Sequence, residues 1–106
     1  MIHVVIQRKE KFIININVSG HAQSAKYGKD LVCAGVSSAC VGIANMLVKK
    51  QFVNGLGTID LKEGFVDIKV NQLNEDVQVV LETLETILET IEESYSDYIK
   101  IMKMEV

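Results

Sequence analysis

Hydrophobic residues recur along this chain with two different periods, and each change of period marks a new element. Ile2 to Gln7 and Phe12 to Val18 read as strands. In the second, Ile14, Ile16 and Val18 alternate with Asn15 and Asn17, the period-two pattern of a half-buried sheet. Arg8-Lys9-Glu10-Lys11 makes a charged hairpin connection between them. Ser19 to Lys29 is rich in Gly, Ser, Ala and Lys, lacks apolar periodicity and reads as a loop. A helical pattern follows from Leu31 to about Lys50, with Asp30 in the N-cap position and Lys49 and Lys50 against the negative end of the helix dipole. Val32, Val36, Ala39, Ile43, Met46 and Leu47 form its apolar stripe, and its lack of charge predicts that little of it meets water.

Gly55 and Gly57 restart the chain, and Thr58 to Leu61 with Phe65 to Val70 read as a hairpin through Lys62-Glu63-Gly64. A second helix is expected from about Asn74 to Ser96. Val77, Val80, Leu81, Leu84, Ile87, Leu88, Ile91 and Tyr95 lie on one face, with most of the glutamates on the other. The recurring Leu-Glu-Thr here is an amphipathic pattern written with few residue types. Ile99 and Ile101 alternate with Lys100 and open a closing strand. The order strand-strand-helix-strand-strand-helix-strand predicts an α+β domain over residues 1–106. It should hold an antiparallel or mixed sheet of about five strands with two helices packed on one face.

Composition narrows this picture. With 106 residues there is room for one domain and none for separate cofactor and substrate domains. A chain of this size buries roughly two-thirds of its unfolded surface, so it needs no metal or disulfide staple. Cys33 and Cys40 sit too far apart on one helix to bridge, which suggests a reducing compartment. The opening residues, Met1 to Arg8, carry no basic leader and cleavage site, so a cytoplasmic location is expected. The uncharged run from Leu31 to Val48 reaches the lower limit for a membrane span. Because it contains Gly35, Ser37, Ser38, Gly42 and Asn45, a buried helix of a folded domain is the expected reading, with no membrane partner.

The net charge of -3 is unevenly spread. Eight of the fourteen acids and no base fall between Asn74 and Asp97, which leaves six acids against all eleven bases elsewhere, a balance of +5. The acidic helix suits a basic partner, and one alternative function is a non-enzymatic interaction module that uses this helix. The commoner meaning of such a face is solvation. Direct nucleic-acid binding is not expected, because the bases are scattered and only one is Arg.

The stretch from Gly20 to Ser37 holds the candidate chemistry. His21 stands at the lip of the loop and Cys33 at the start of the helix. With Asp30 as N-cap, Cys33 falls at the third helical position. There, unpaired N–H groups and the helix dipole can lower a thiol pKa from about 8.5 to roughly 3.5–7.5. His21 can take the thiol proton and return it to a leaving amine, and amides of Val32 or Cys33 can hold an oxyanion. Asp30 has competing readings. As a cap it occupies the Cys33 amide and opposes the thiolate, whereas turned toward His21 it orients the imidazole. Ser37, one turn after Cys33, either supports the site or bonds back to a carbonyl. Burial in the core is the ordinary fate of a cysteine and is expected for Cys40; His3 reads as structural. Cys-x6-Cys lacks the short spacing of a metal site, so neither metal nor cofactor is called for.

These residues resemble the ribosomal-processing cysteine proteases called Prp. The family pattern is Gly-His-Ala, a glycine-containing loop, then Asp-x-Val-Cys-Ala-x-x-Ser. It is matched by Gly20-His21-Ala22, Gly28, Asp30, Val32-Cys33-Ala34 and Ser37. Length, element order and the acidic second helix also fit, so the resemblance covers essentially the whole chain. It implies that His21 and Cys33 form a catalytic dyad and that peptide hydrolysis passes through an acyl-thioester. The implied substrate is the short N-terminal extension of a large-subunit ribosomal protein, the twenty-seventh of that series, cut after a pair of aromatic residues. It further implies a homodimer and a His-bearing loop that orders over substrate. Gly20 and Gly28, at the ends of that loop, are then candidate hinges, with Ala34 and Ser37 in supporting positions.

Overall fold

The computed structural model describes residues 1–20 and 27–106, and their side chains apart from those of 27–30. The expected order is present: β1 (Ile2–Lys9), β2 (Phe12–Ser19), α1 (Tyr27–Lys49), β3 (Gly57–Lys62), β4 (Phe65–Val70), α2 (Glu75–Tyr95) and β5 (Ile99–Glu105). The five strands form one mixed sheet in the order β3-β4-β2-β1-β5, with β1 and β5 parallel and the other pairs antiparallel. The fold is α+β.

Register explains the core. Val4, Val18 and Val66 are neighbours across three strands, as are Ile6, Ile16 and Ile68, while Ile2 pairs with Ile99. All are buried, so they mark the face that the helices cover. Val32, Val36, Cys40, Ala44 and Leu47 of α1 and Val77, Leu81, Leu84 and Leu88 of α2 complete this layer. Asn74 caps α2, its side chain accepting from the Val77 amide at 3.0 Å.

Three sequence expectations need correction. In β2 it is Ile13 that is buried, not Ile14. The β1–β2 register steps between Gln7↔Asn15 and Arg8↔Ile13, leaving Ile14 as the extra residue of a β-bulge. Gln78 of α2 secures the residue beside that irregularity, accepting from the Ile13 amide and donating to its carbonyl, both at 2.8 Å.

Next, α1 begins at Tyr27, a turn earlier than expected, so Gly28 and Asp30 lie inside the helix. Asp30 is therefore not its N-cap, and Gly28 is not a loop hinge. Finally, α1 is not mostly hidden. Leu31, Val41, Met46 and Val48 are exposed, and only 28% of the Leu31–Lys49 stretch is buried. By length and composition alone this stretch is sufficient to cross a membrane. Its inner face nevertheless packs into the core.

The glutamates of α2 likewise have one exception to their outward placement. Glu85 is buried and paired with Arg8 of β1, and Lys103 lies 3.8 Å from its second oxygen.

Candidate active site

A groove of about 370 Å³ runs between the first half of α1 and the β3–β4 hairpin. Cys33, Val36, Ser37, Cys40 and Val41 line it on the helix side, and Leu61 to Val66 on the hairpin side. Ile2, Val18 and Gly20 contribute from the sheet. Helical spacing accounts for the first wall. Residues 33, 36, 37 and 40 share one face of α1, so a single helix presents Cys33 and Ser37 to the groove and buries Cys40 beneath them.

The two cysteines differ in environment. Cys40 is 1% exposed, and burial pushes its thiol up to about 11, which makes it inert. Cys33 is half-buried at the core's margin and opens on the groove.

The longer helix revises how Cys33 is placed. Counted from Tyr27 it is the seventh helical residue rather than the third. The dipole falls off within the first turn, so it does not carry the activation that the third position would supply. Regular i→i−4 pairing also commits the Val32 and Cys33 amides to the carbonyls of Gly28 and Lys29, so neither is a free oxyanion donor.

Gly20 ends β2 at the groove with φ +96°, a conformation that disfavours side chains. Its amide donates to the Gly64 carbonyl at 3.0 Å, and a Cβ there would stand 2.4 Å from the Met1 carbonyl oxygen. Gly20 is thus clamped between the hairpin turn and the start of β1, an anchored residue rather than a hinge.

His21 lies outside the described residues, as does the Asp30 side chain. Ala34 is exposed on α1 and does not line the groove. The structure therefore brings Gly20, Cys33 and Ser37 together. It adds the β3–β4 hairpin as a wall, an element expected from the sequence but not placed at the site there. Lys62 and Glu63 are the charged residues on that wall; Lys62 stands 5.3 Å over the Phe65 ring and 3.6 Å from Asp60.

Residues 1–100 match the family model described as cysteine protease Prp. The chain belongs to that family. It is 41% identical over 49 residues to the ribosomal processing cysteine protease Prp of Bacillus subtilis (strain 168), a match spanning 45% of this chain and 44% of that relative. Among solved Prp-family structures, it resembles an essential ribosomal processing protease Prp from S. aureus in complex with a substrate peptide. The TM-score is 0.83 at 28% identity, covering 97% of this chain and 99% of that one. The S. aureus Prp with a covalently linked product peptide matches with a TM-score of 0.81 at 30% identity over the same shares.

Proposed function

We propose that this protein is a cysteine endopeptidase with Cys33 as nucleophile and His21 as its base, and that it removes the N-terminal extension of a large-subunit ribosomal protein, the twenty-seventh of that series. The observation that carries this reading is the position of Cys33. In a chain of the Prp family, it is the half-buried thiol on the wall of an apolar groove, while the other cysteine is sealed in the core. A covalently linked product peptide on the S. aureus relative supports a covalent route.

In this mechanism His21 takes the Cys33 proton, and the thiolate sulfur bonds to the scissile carbonyl carbon. The tetrahedral intermediate then collapses as the imidazolium protonates the departing amine, breaking the C–N bond and leaving an acyl-thioester. Water, deprotonated by His21, attacks the thioester, and the thiol leaves with its proton restored. Since the first-turn amides are too far along the helix, activation of the thiol rests on His21. Ser37, on the same wall, is a hydroxyl donor suited to a supporting role. The acidic surface of α2 attracts a basic ribosomal protein at long range. Cytoplasmic action as a homodimer belongs to the same proposal, and the uncharged outer face of α1 around Leu31 and Ala34 has the chemistry of a subunit contact.

The test is incubation with a peptide carrying the extension and its junction. The wild type should give a single cut and Cys33→Ala none, while His21→Ala should lower kcat/KM by about 10²–10⁴-fold. Undiminished cleavage by Cys33→Ala would refute the dyad. Salt-sensitive binding of the ribosomal protein that survives thiol alkylation with full biological effect would favour the interaction module instead.

A further inference from the structure

One wall of the groove has incompletely paired backbone. β3 is an outer strand, joined to β4 by the two-residue Glu63-Gly64 connection. The residues flanking such a connection form a hydrogen-bonded pair, and bonded and non-bonded pairs alternate along an antiparallel ladder. Lys62↔Phe65, Asp60↔Asp67 and Thr58↔Lys69 are therefore bonded pairs. The N–H and C=O groups of Ile59 and Leu61 consequently point away from β4, off the edge of the sheet. Among the described residues, no group hydrogen-bonds to them there. Their side chains turn toward the helix layer, where Ile59 packs against the core and Leu61, 46% exposed, lines the groove.

The opposite edge is treated differently. On β5, the Glu92 carboxylate accepts from the Ile101 amide at 2.8 Å, and Lys103 pairs with Glu89. Side chains of α2 thus occupy that edge and block further pairing. β3 has no such plug at Ile59 or Leu61, although it borders the groove that holds Cys33.

We infer that the peptide substrate binds by adding to the free edge of β3 as a further strand, its backbone paired with Ile59 and Leu61. This rests on the protease reading above. An extended chain alternates its side chains, so every second peptide residue faces the groove between Leu61 and the α1 residues Val36 and Val41, and the others face the open side of the sheet. Main-chain pairing then supplies affinity and register, and the groove selects apolar side chains at alternate positions.

Each amide of the extension peptide is N-methylated in turn, and binding to Cys33→Ala protein is measured by fluorescence anisotropy. Methylation at alternate amides should weaken binding on the order of tenfold, with the intervening positions within about twofold. A flat profile overturns the inference. Leu61→Pro removes an outward N–H and leaves the bonded pairs to β4 intact, so it should bind about tenfold more weakly, and more weakly than Leu61→Ala. Equal losses in the two variants also count against it, and if Leu61→Pro fails to fold the methylation profile decides. Wild-type cleavage with a flat profile sinks the strand but not the protease. An alternating profile without cleavage does the reverse, and no binding of the unmethylated peptide overturns both.

Discussion

Gln78→Met tests whether the irregularity in β2 depends on a side chain lent by α2. Gln78 is buried, and its amide makes two bonds to the backbone of Ile13, itself 0% exposed. Ile13 lies beyond Asn15, the last β2 residue paired with β4, so no strand takes over on that side. Met has a similar length and cannot reproduce either bond. It leaves a buried donor and a buried acceptor unsatisfied, at about 1–3 kcal/mol each. Burial of the thioether offsets part of this, for a net loss of about 2–4 kcal/mol. In a domain of this size that lowers Tm by about 10–20 °C. Urea unfolding should show a lower midpoint with an unchanged m-value, against Gln72→Met as an exposed control. A loss under about 1 kcal/mol would refute the reasoning, because Ile13 would then satisfy its backbone without Gln78.

Three other outcomes are expected. Glu10 and Lys11 turn the β1–β2 hairpin with φ of 51° and 79°, left-handed values that favour Asn-Gly. Glu10→Asn with Lys11→Gly should add about 1–2 kcal/mol in urea titrations, and the Arg8 bond to the Lys11 carbonyl survives because the acceptor is backbone. Burial tends to raise the Asp67 pKa, but hydrogen bonds from Asn15 and Asn17 together with Lys69 outweigh it, and the carboxyl lies below its ordinary value. A depressed carboxylate stabilises above its unfolded pKa and loses that contribution as pH falls through the folded one. Asp67→Asn should therefore cost stability near neutral pH and nothing once the wild-type carboxyl is protonated; a pH-independent difference would refute this. Finally, with Cys40 pushed up to about 11, iodoacetamide at neutral pH should modify one thiol in the folded protein and two after unfolding. Equal labelling of both in the folded state would contradict the burial argument.

The element order was legible because two periods carry it, and Asn74 before an apolar run marked the start of α2 correctly. The start of α1 was not. Its first turn contains Gly28, Lys29 and Asp30, which add nothing to an apolar stripe, and an acid is as favourable inside a first turn as at the cap before it. The Ile13-Ile14 pair fits either of two registers, and only pairing with β1 decides between them. Glu85 sits in an acidic helix like its neighbours, and the Arg8 that holds it inside comes from a distant strand. At the candidate site, Cys33 and Ser37 were readable from helical spacing. The hairpin wall was not, since Leu61 to Val66 meet Cys33 only through tertiary packing.

The parallel pairing of β5 with β1 also has a kinetic meaning. Ile2 faces Ile99 and Arg8 faces Glu105, so the interior strand β1 waits until β2, α1, β3, β4 and α2 have all been synthesised before its second neighbour arrives. Contacts of such sequence separation slow folding, because the entropy of closing the loop is lost before the contact forms. On a translating ribosome, the β1–β2 hairpin and α1 emerge with the apolar surface of β1 only partly covered. Final closure is a late event, dependent on release of residues 99–105 from the exit tunnel.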